Sequence, residues 1–554
     1  LGGVLRRQQG IARALVVAAF AATLTLSGCV AGSSTSSDSS SSSATSGSPA
    51  PEDSTSAAKE LVIAIPAYPS SWDQDFVAFD LVALSLFKNV YPYLVDYGVT
   101  EVDGARILDT ENILPTWAES FTSEDGKLWT LKLRPDATFP SGNPITAEDV
   151  KWSKDRAFAA QANVAGVYGL IGLTEPDQIK VVDDLTVTFE QAFPSALTPQ
   201  IQAISLFLYD SKLLKEKATA EDPWAAEWVA QNPADGGLFK VASFTPGQEI
   251  VLEANRDYPA ADGPLVDTIR LVVVPESASA ALLLEQGDVD IALGLGGDQI
   301  NDLKGKSGIK VLTAPSNEMI SIPINVAIKP LDNVNVRQAI AHAIPYDQIL
   351  QSVYGGDGRI PKSPVPIDMP GYSETGFPYA YDVEKAQQLM ADSGVAPFET
   401  ELAYAAESPN DERIAIIVQA ALKEIGITVT PTPLDPATFG ERRQAKDIPM
   451  QITAAQWWVN DVEYMLATGW TTGAFLNYAS YSNPVLDKAV EEVRGVTDPA
   501  ARDEIWLKVQ GEFAREVPVI PLVQPNFNLA VRENVDGWVQ PVDGLARLQY
   551  LTIK

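Results

Sequence analysis

An α/β fold with mixed sheets is what the order of apolar segments predicts. Short apolar runs bounded by turn residues alternate with longer stretches of helical period, and no segment recurs at a fixed spacing. The clearest case is Glu401-Leu402-Ala403-Tyr404, a strand, followed by Asp411 to Ile425. There Ile414, Ile417, Val418, Ala421, Leu422 and Ile425 form one apolar stripe, which Gly426 stops. Ile427-Thr428-Val429-Thr430 then restarts as a strand. Strand, helix and strand in that order predict a right-handed parallel unit.

The other elements follow along the chain. Arg6, Arg7 and Arg13 precede an apolar stretch from Ala14 to Leu26, and Ser27-Gly28 leads into Cys29, the one cysteine of the sequence. A basic n-region, a short h-region and small residues before a lone cysteine read as a lipoprotein signal peptide over 1–28, with acylation expected at Cys29. The apolar stretch is shorter than the roughly 20 residues a bilayer span needs. Residues 29–59 are rich in serine, with Pro49, Pro51, Glu52 and Asp53 near the end, a composition that buries no core and predicts a disordered tether. Leu61-Val62-Ile63-Ala64-Ile65, closed by Pro66, predicts a buried strand. Thr146-Ala147-Glu148-Asp149 predicts a capping box opening a helix towards Phe158, and Asp382 to Met390, closed by Gly394, predicts another helix.

Composition narrows the function classes. The chain is 46% hydrophobic with 11 Trp, as in a globular protein, and carries a formal charge of −32. So acidic a chain is a poor partner for nucleic acid or for an anionic membrane surface. With Cys29 acylated no thiol remains for a disulfide, so stability must come from the core. His342, the one histidine, sits in a helical apolar run and reads as structural, which leaves histidine-dependent triads and histidine-rich zinc sites without parts. No Gly-x-Ser-x-Gly elbow occurs, and Gly305-Lys306-Ser307 lacks the upstream glycine of a P-loop because Ile300 stands there. No catalytic residue, metal or cofactor is expected; an extracellular hydrolase is the remote alternative.

Leu131-Lys132-Leu133-Arg134-Pro135-Asp136-Ala137-Thr138-Phe139 and then Ser141-Gly142-Asn143-Pro144-Ile145-Thr146-Ala147-Glu148-Asp149-Val150 resemble the signature of the family 5 extracellular solute-binding proteins. These are the peptide, nickel and oligosaccharide receptors of ABC importers. Further similar segments follow in the family's order: Glu253 to Tyr258, Leu284 to Ile291, Val336 to Ile344, Asn477 with Tyr481 to Pro484, and Pro518 to Leu522. Two segments depart from the family pattern, Ala234 to Phe239 and Ala343 to Asp347. The resemblance implies a two-lobed, periplasmic-binding-protein-like type II fold with an extra subdomain. Domain I is expected over 60–108, 213–314 and 523–554, domain II over 109–212 and domain III over 315–522, with ligand in the cleft between I and III. It also implies a monomer outside the cytoplasmic membrane, tethered through Cys29, that closes on a solute and presents it to ABC permease and ATPase subunits.

Peptide is the first ligand class the resemblance implies, and an oligosaccharide or other non-peptide solute is the alternative. Trp457-Trp458-Val459-Asn460-Asp461 resembles the family's Trp-x-x-Asp segment, in which the aspartate pairs with a peptide's α-ammonium. A carboxylate in a water-poor cleft selects ligands that bring a cation. The competing reading is that Asp461 caps a helix or pairs with an arginine. Trp457, Trp458, Tyr464, Trp470 and Tyr478 offer rings for stacking, alongside Phe475 and Tyr481, although many such rings serve as core. Tyr68 and Trp72, after the first strand, and Asn325 complete the candidates, while Arg337 reads as a helix anchor.

Overall fold

The computed structural model describes residues 59–77, 80–258 and 263–554. Cys29, the signal peptide and nearly all of the tether lie outside them.

The first strand, Glu60–Ile65, shows why a continuous apolar run folds as it does. It lies inside a seven-stranded sheet, parallel to Thr268–Val273 on one side and to Ile291–Ala292 on the other. Leu61, Ile63 and Ile65 enter one apolar cluster with Phe87, Tyr91 and Ile269. Val62 and Ala64 turn to the other face, against Ala280, Leu284 and Ala292. Because side chains alternate along a strand, burial on both faces requires an unbroken apolar run. The outer strands, Phe239–Thr245, Glu249–Ala254, Phe527–Arg532 and Ile309–Ala314, join by antiparallel pairing, so the sheet is mixed.

A second, fully antiparallel sheet runs in the order Ala118–Thr122, Leu128–Leu133, Thr186–Glu190, Ile179–Asp183. The helix Ala147–Ala159 belongs to the same stretch of chain. Its capping box forms as the sequence predicts, with the Thr146 N–H donating to Asp149 Oδ2 at 2.8 Å.

The predicted parallel unit is present as the strand Phe398–Ala405, the helix Pro409–Lys423 and the strand Ile427–Leu434, with Met450–Gln451 parallel on the other edge. Gly426 takes φ +80°, a conformation that side chains disfavour, which is why the stripe ends there. Beside it lies a four-stranded antiparallel sheet in the order Gly358–Arg359, Val519–Pro525, Met319–Pro323, Thr453–Ala455. The helix Val383–Ser393 opens on Asp382 and closes on Gly394. His342 ends the helix Val334–Ala343, its Nδ1 2.9 Å from the Ala380 carbonyl, and Arg337 anchors that helix to the Leu331, Asp332 and Glu516 carbonyls. Among the described residues no helix is long and apolar enough to cross a membrane.

The largest apolar cluster joins residues of 94–208 to residues of 457–513, including Trp117, Tyr168, Trp457, Trp470 and Trp506. Two distant stretches of sequence thus share one core, and a cavity opens beside it.

Candidate functional site

A cavity of about 880 Å³ lies between two sets of residues, one from 74–207 with Leu545 and one from 319–521. Its volume falls in the range of small-molecule sites.

The second set supplies the aromatic wall. After the short helix Val462–Met465 the chain makes a π-turn over Leu466–Trp470, closed by a hydrogen bond from the Thr471 N–H to the Leu466 carbonyl at 3.0 Å. The wider turn brings Ala467, Thr468, Gly469 and Trp470 to the cavity together. Gly469 is required there, since a Cβ would stand 2.9 Å from the Trp457 indole. Trp457 meets Tyr464 and Trp470 edge-on, with centroids 6.5 and 6.3 Å apart, and Trp470 packs on Phe513 at 4.3 Å. Each ring is held by another, so the wall is preformed. Asn317 fixes its base, donating to the Trp457 carbonyl at 3.0 Å.

The facing wall is built on a loop held by buried charge. Arg156, from the helix Ala147–Ala159, is fully buried and donates to Asp73 Oδ1 at 3.0 Å and to Asp75. Burial pushes the Asp75 carboxyl up to about 6, although Arg156 pulls the other way. Gln74, between the two aspartates, is thereby turned to the cavity, where its amide donates to the Tyr93 hydroxyl. Val167, Leu170 and Phe207 complete an apolar face.

Among the described residues that line the cavity, Arg443 alone carries a charge, and no carboxylate does. In a chain of formal charge −32 that is a selective arrangement. Arg443 projects from the helix Pro436–Ala445 and lies over the Phe439 ring at 3.6 Å and the Tyr478 ring at 5.1 Å. Its Nε donates to Gln451 Oε1 at 2.9 Å, while its terminal nitrogens meet no acceptor among the described residues. Burial holds its pKa below the ordinary guanidinium range without discharging it. Its neighbour Arg442 is spent on Glu401, at 2.7 and 2.9 Å, and on Asp447.

Of the residues singled out in the sequence, Trp457, Trp458, Tyr464, Trp470 and Tyr478 line the cavity, with Phe475 and Tyr481. Asp461, Tyr68, Trp72 and Asn325 do not. Arg502 donates to both Asp461 oxygens at 2.8 Å, and Asp461 caps the helix Val462–Met465 through the Glu463 N–H at 2.7 Å. Its charge is therefore committed inside the protein. Trp72 is core, 3% exposed against Phe87 and Phe244, with Tyr68 edge-on to it at 6.4 Å. Asn325 ties loops together, donating to the Lys446 carbonyl at 2.9 Å and accepting from the Ala327 N–H. Arg443 and Gln74 were missed because nothing local marks them: each is one polar residue among charged neighbours in sequence.

The family model described as bacterial extracellular solute-binding proteins, family 5 Middle, matches residues 112–477. The chain belongs to this family of solute-binding proteins. The solute-binding protein is 30% identical over 454 residues to the probable D,D-dipeptide-binding periplasmic protein DdpA of Escherichia coli K12, covering 80% of this chain and 83% of that one. It is 27% identical over 467 residues to the dipeptide-binding protein of the same organism, with 79% and 86% covered. In fold it is similar to the periplasmic binding protein DppA of Helicobacter pylori, solved with the peptide STSA, with a TM-score of 0.76, 22% identity and 89% and 98% of the two chains covered. The family consists of non-enzymatic, extracytoplasmic binding components of ABC transporters, and the solute-binding protein is one of them.

Proposed function

We propose that this chain captures a small peptide, or a peptide-like solute with apolar side chains, and that Arg443 receives the solute's carboxylate. The observation that carries this reading is the lining of the 880 Å³ cavity, rich in indole and phenol rings on one wall and mixed apolar on the other, with one guanidinium and no acid. A planar guanidinium with free terminal nitrogens is suited to bidentate contact with a carboxylate, and such charge-assisted bonds are about twice as strong as neutral ones. The relatives named for dipeptides agree with it. Asp461 is a structural residue in this account, and the ammonium role does not fall to it.

Capture proceeds by closure of the two walls. A ligand that touches both binds the closed state better than the open one, and that difference drives closing. The division into domain I (60–108, 213–314 and 523–554), domain II (109–212) and domain III (315–522) is part of the proposal. It is supported by the seven-stranded sheet drawing every strand from the first set and the second sheet drawing every strand from 109–212. The closed protein, held to the membrane by a lipid on Cys29, hands its solute to a permease.

A second reading, a sugar-like acid stacked on the Trp457, Trp458 and Trp470 wall, is favoured by the ring content of the site. Titration of the mature protein with phenylalanyl-leucine, its C-terminal amide and glucuronate, followed by tryptophan fluorescence, separates them. The peptide reading expects the free dipeptide to bind and the amide to bind at least tenfold more weakly. Binding of glucuronate alone would replace it with the sugar-acid reading.

A further inference from the structure

The chain passes between the seven-stranded sheet and the four-stranded antiparallel sheet twice. Residues 315–318 join the strand Ile309–Ala314 to Met319–Pro323, and Asn526 alone joins Val519–Pro525 to Phe527–Arg532. Every residue of the aromatic cavity wall lies between these two crossings, and every residue of the facing wall lies outside them. Rotation at the crossings therefore moves one wall against the other, and such motion is absorbed by a few residues at the ends of elements. Gln524, fully buried, donates to the Ser316 carbonyl and ties the crossings together, so they turn as one.

One carboxylate is fastened across this pair. Asp357 stands in the turn between the helix Tyr346–Tyr354 and the short strand Gly358–Arg359, which pairs with Pro525 and Gln524. Gly358 lets the turn come so close, because a Cβ there would stand 2.8 Å from the Gln524 carbonyl oxygen. Asp357 Oδ1 accepts from the Asn526 amide at 2.8 Å, and its Oδ2 accepts from the Asn528 amide at 2.7 Å. Asn528 is held in turn by the Thr313 hydroxyl at 2.8 Å, and the Lys304 ammonium stands 3.8 Å from Asp357. With the Asp357 side chain 27% exposed, these are charge-assisted bonds partly shielded from water. Asp357 moves with the aromatic wall, Asn528 and Lys304 move with the facing wall, and Asn526 carries the rotation. Both bonds are made at this angle between the walls, and a change of angle separates Asp357 from Asn528.

We propose that Asp357 is a clasp on the hinge, whose bonds to Asn526 and Asn528 hold the two walls at the angle that encloses the cavity and bias the ligand-free protein towards closure. The inference rests on the closing motion proposed above and adds the residue that sets its equilibrium. Asp357 does not line the cavity, so it acts as a positioning residue. Its effect is then the same for every solute, because apparent affinity scales with the fraction of protein in the competent state.

The test is the distance between two spin labels, one on each side of the crossings. The mature chain with Cys29→Ala has no other cysteine, so labels attach only at introduced ones. Val182→Cys paired with Ile416→Cys, and Val182→Cys paired with Leu507→Cys, use three exposed positions. Without ligand, the proposal expects Asp357→Ala to raise the ratio of long to short distances at least tenfold. Asn528→Ala is expected to raise it as well, and the double variant to match Asp357→Ala. Phenylalanyl-leucine and glucuronate, whichever binds wild type, should bind Asp357→Ala at least threefold more weakly and by one common factor. Melting curves check folding, and Asn528→Ala, which leaves the carboxylate in place, carries the test if Asp357→Ala does not fold. Wild-type distances in both variants, or effects that simply add in the double variant, overturn the clasp. If phenylalanyl-leucine shortens the distance in wild type while the variants leave the ligand-free distance unchanged, the closing motion stands and the clasp alone falls. A single wild-type distance that neither the dipeptide nor either variant moves removes both. Longer distances in the variants without any response to the dipeptide support the clasp and count against the peptide reading.

Discussion

Replacing Asp461 by asparagine separates a structural from a ligand-binding role. In the structure Asp461 accepts two hydrogen bonds of 2.8 Å from Arg502, and both side chains are largely buried, at 15% and 11% exposure. Asparagine keeps the helix cap but not the charge, and of its two carboxylate partners Arg502 retains Glu463, at 3.5 Å, beside its bond to the Val496 carbonyl. Removing one partner of a buried pair costs about 3–5 kcal/mol. The remaining contact with Glu463 places the expected loss near the lower end, about 3 kcal/mol. With an unfolding entropy of about 2 cal/mol/K per residue over roughly 500 folded residues, that is a fall in Tm of about 3 °C for cooperative unfolding. Differential scanning calorimetry of the ligand-free protein reads this, and titration with phenylalanyl-leucine reads the affinity, expected to change less than threefold. If Asp461 instead held the ligand's ammonium, losing a contact of about 3 kcal/mol would weaken binding by about a hundredfold. An unchanged Tm with a tenfold or greater loss of affinity refutes the reasoning.

Three further outcomes are expected. Burial, reinforced by the charge of Asp461, pushes the Glu463 carboxyl up to about 7 from an ordinary 4.5. A carboxyl raised on folding stabilises the protein below the unfolded value and loses that contribution as pH rises through the folded one. Glu463→Gln should therefore match wild type in Tm near pH 4.5 and exceed it by a widening margin up to pH 7.5; a constant margin contradicts the assignment. Arg156→Met strands Asp73 and Asp75 and should cost about 3–5 kcal/mol of stability. Because Gln74 lies between them, affinity for phenylalanyl-leucine should fall as well, and a stable variant with wild-type affinity would show that the loop does not shape the site. Cys29→Ala should abolish incorporation of an alkynyl fatty acid and release the protein from the membrane fraction; a labelled, membrane-bound variant removes the anchor from the account.

Where a function depends on local pattern, the sequence was a good guide. The stripe from Ile414 to Ile425, the stop at Gly426 and the cap at Thr146 are governed by neighbours within a few residues, and each stands where the pattern put it. The aromatic wall was legible for the same reason, since Trp457, Trp458, Tyr464, Trp470 and Tyr478 come from one continuous stretch. Charge was not legible, because its partner is decided in space. Arg502 lies 41 residues from Asp461, and no local motif foretells that the two would neutralise each other. Arg442 and Arg443 are adjacent in sequence, but one turns to Glu401 and the other to the cavity. Trp72 was indistinguishable in type from Trp457 and became core because Phe87 and Phe244 close around it.

The central claim is that the cavity between the aromatic wall and the Gln74 loop is where solute is held. Native mass spectrometry of the mature protein, with release and identification of any bound molecule, tests it most directly when paired with Ala455→Trp. Ala455 ends the strand Thr453–Ala455 on the cavity wall, so an indole there fills the space. The account predicts that wild type, as purified or after incubation with a dipeptide mixture, releases a small solute bearing a carboxylate, and that the filled variant releases none. Retention of the same solute by both proteins would place the binding site elsewhere and contradict it.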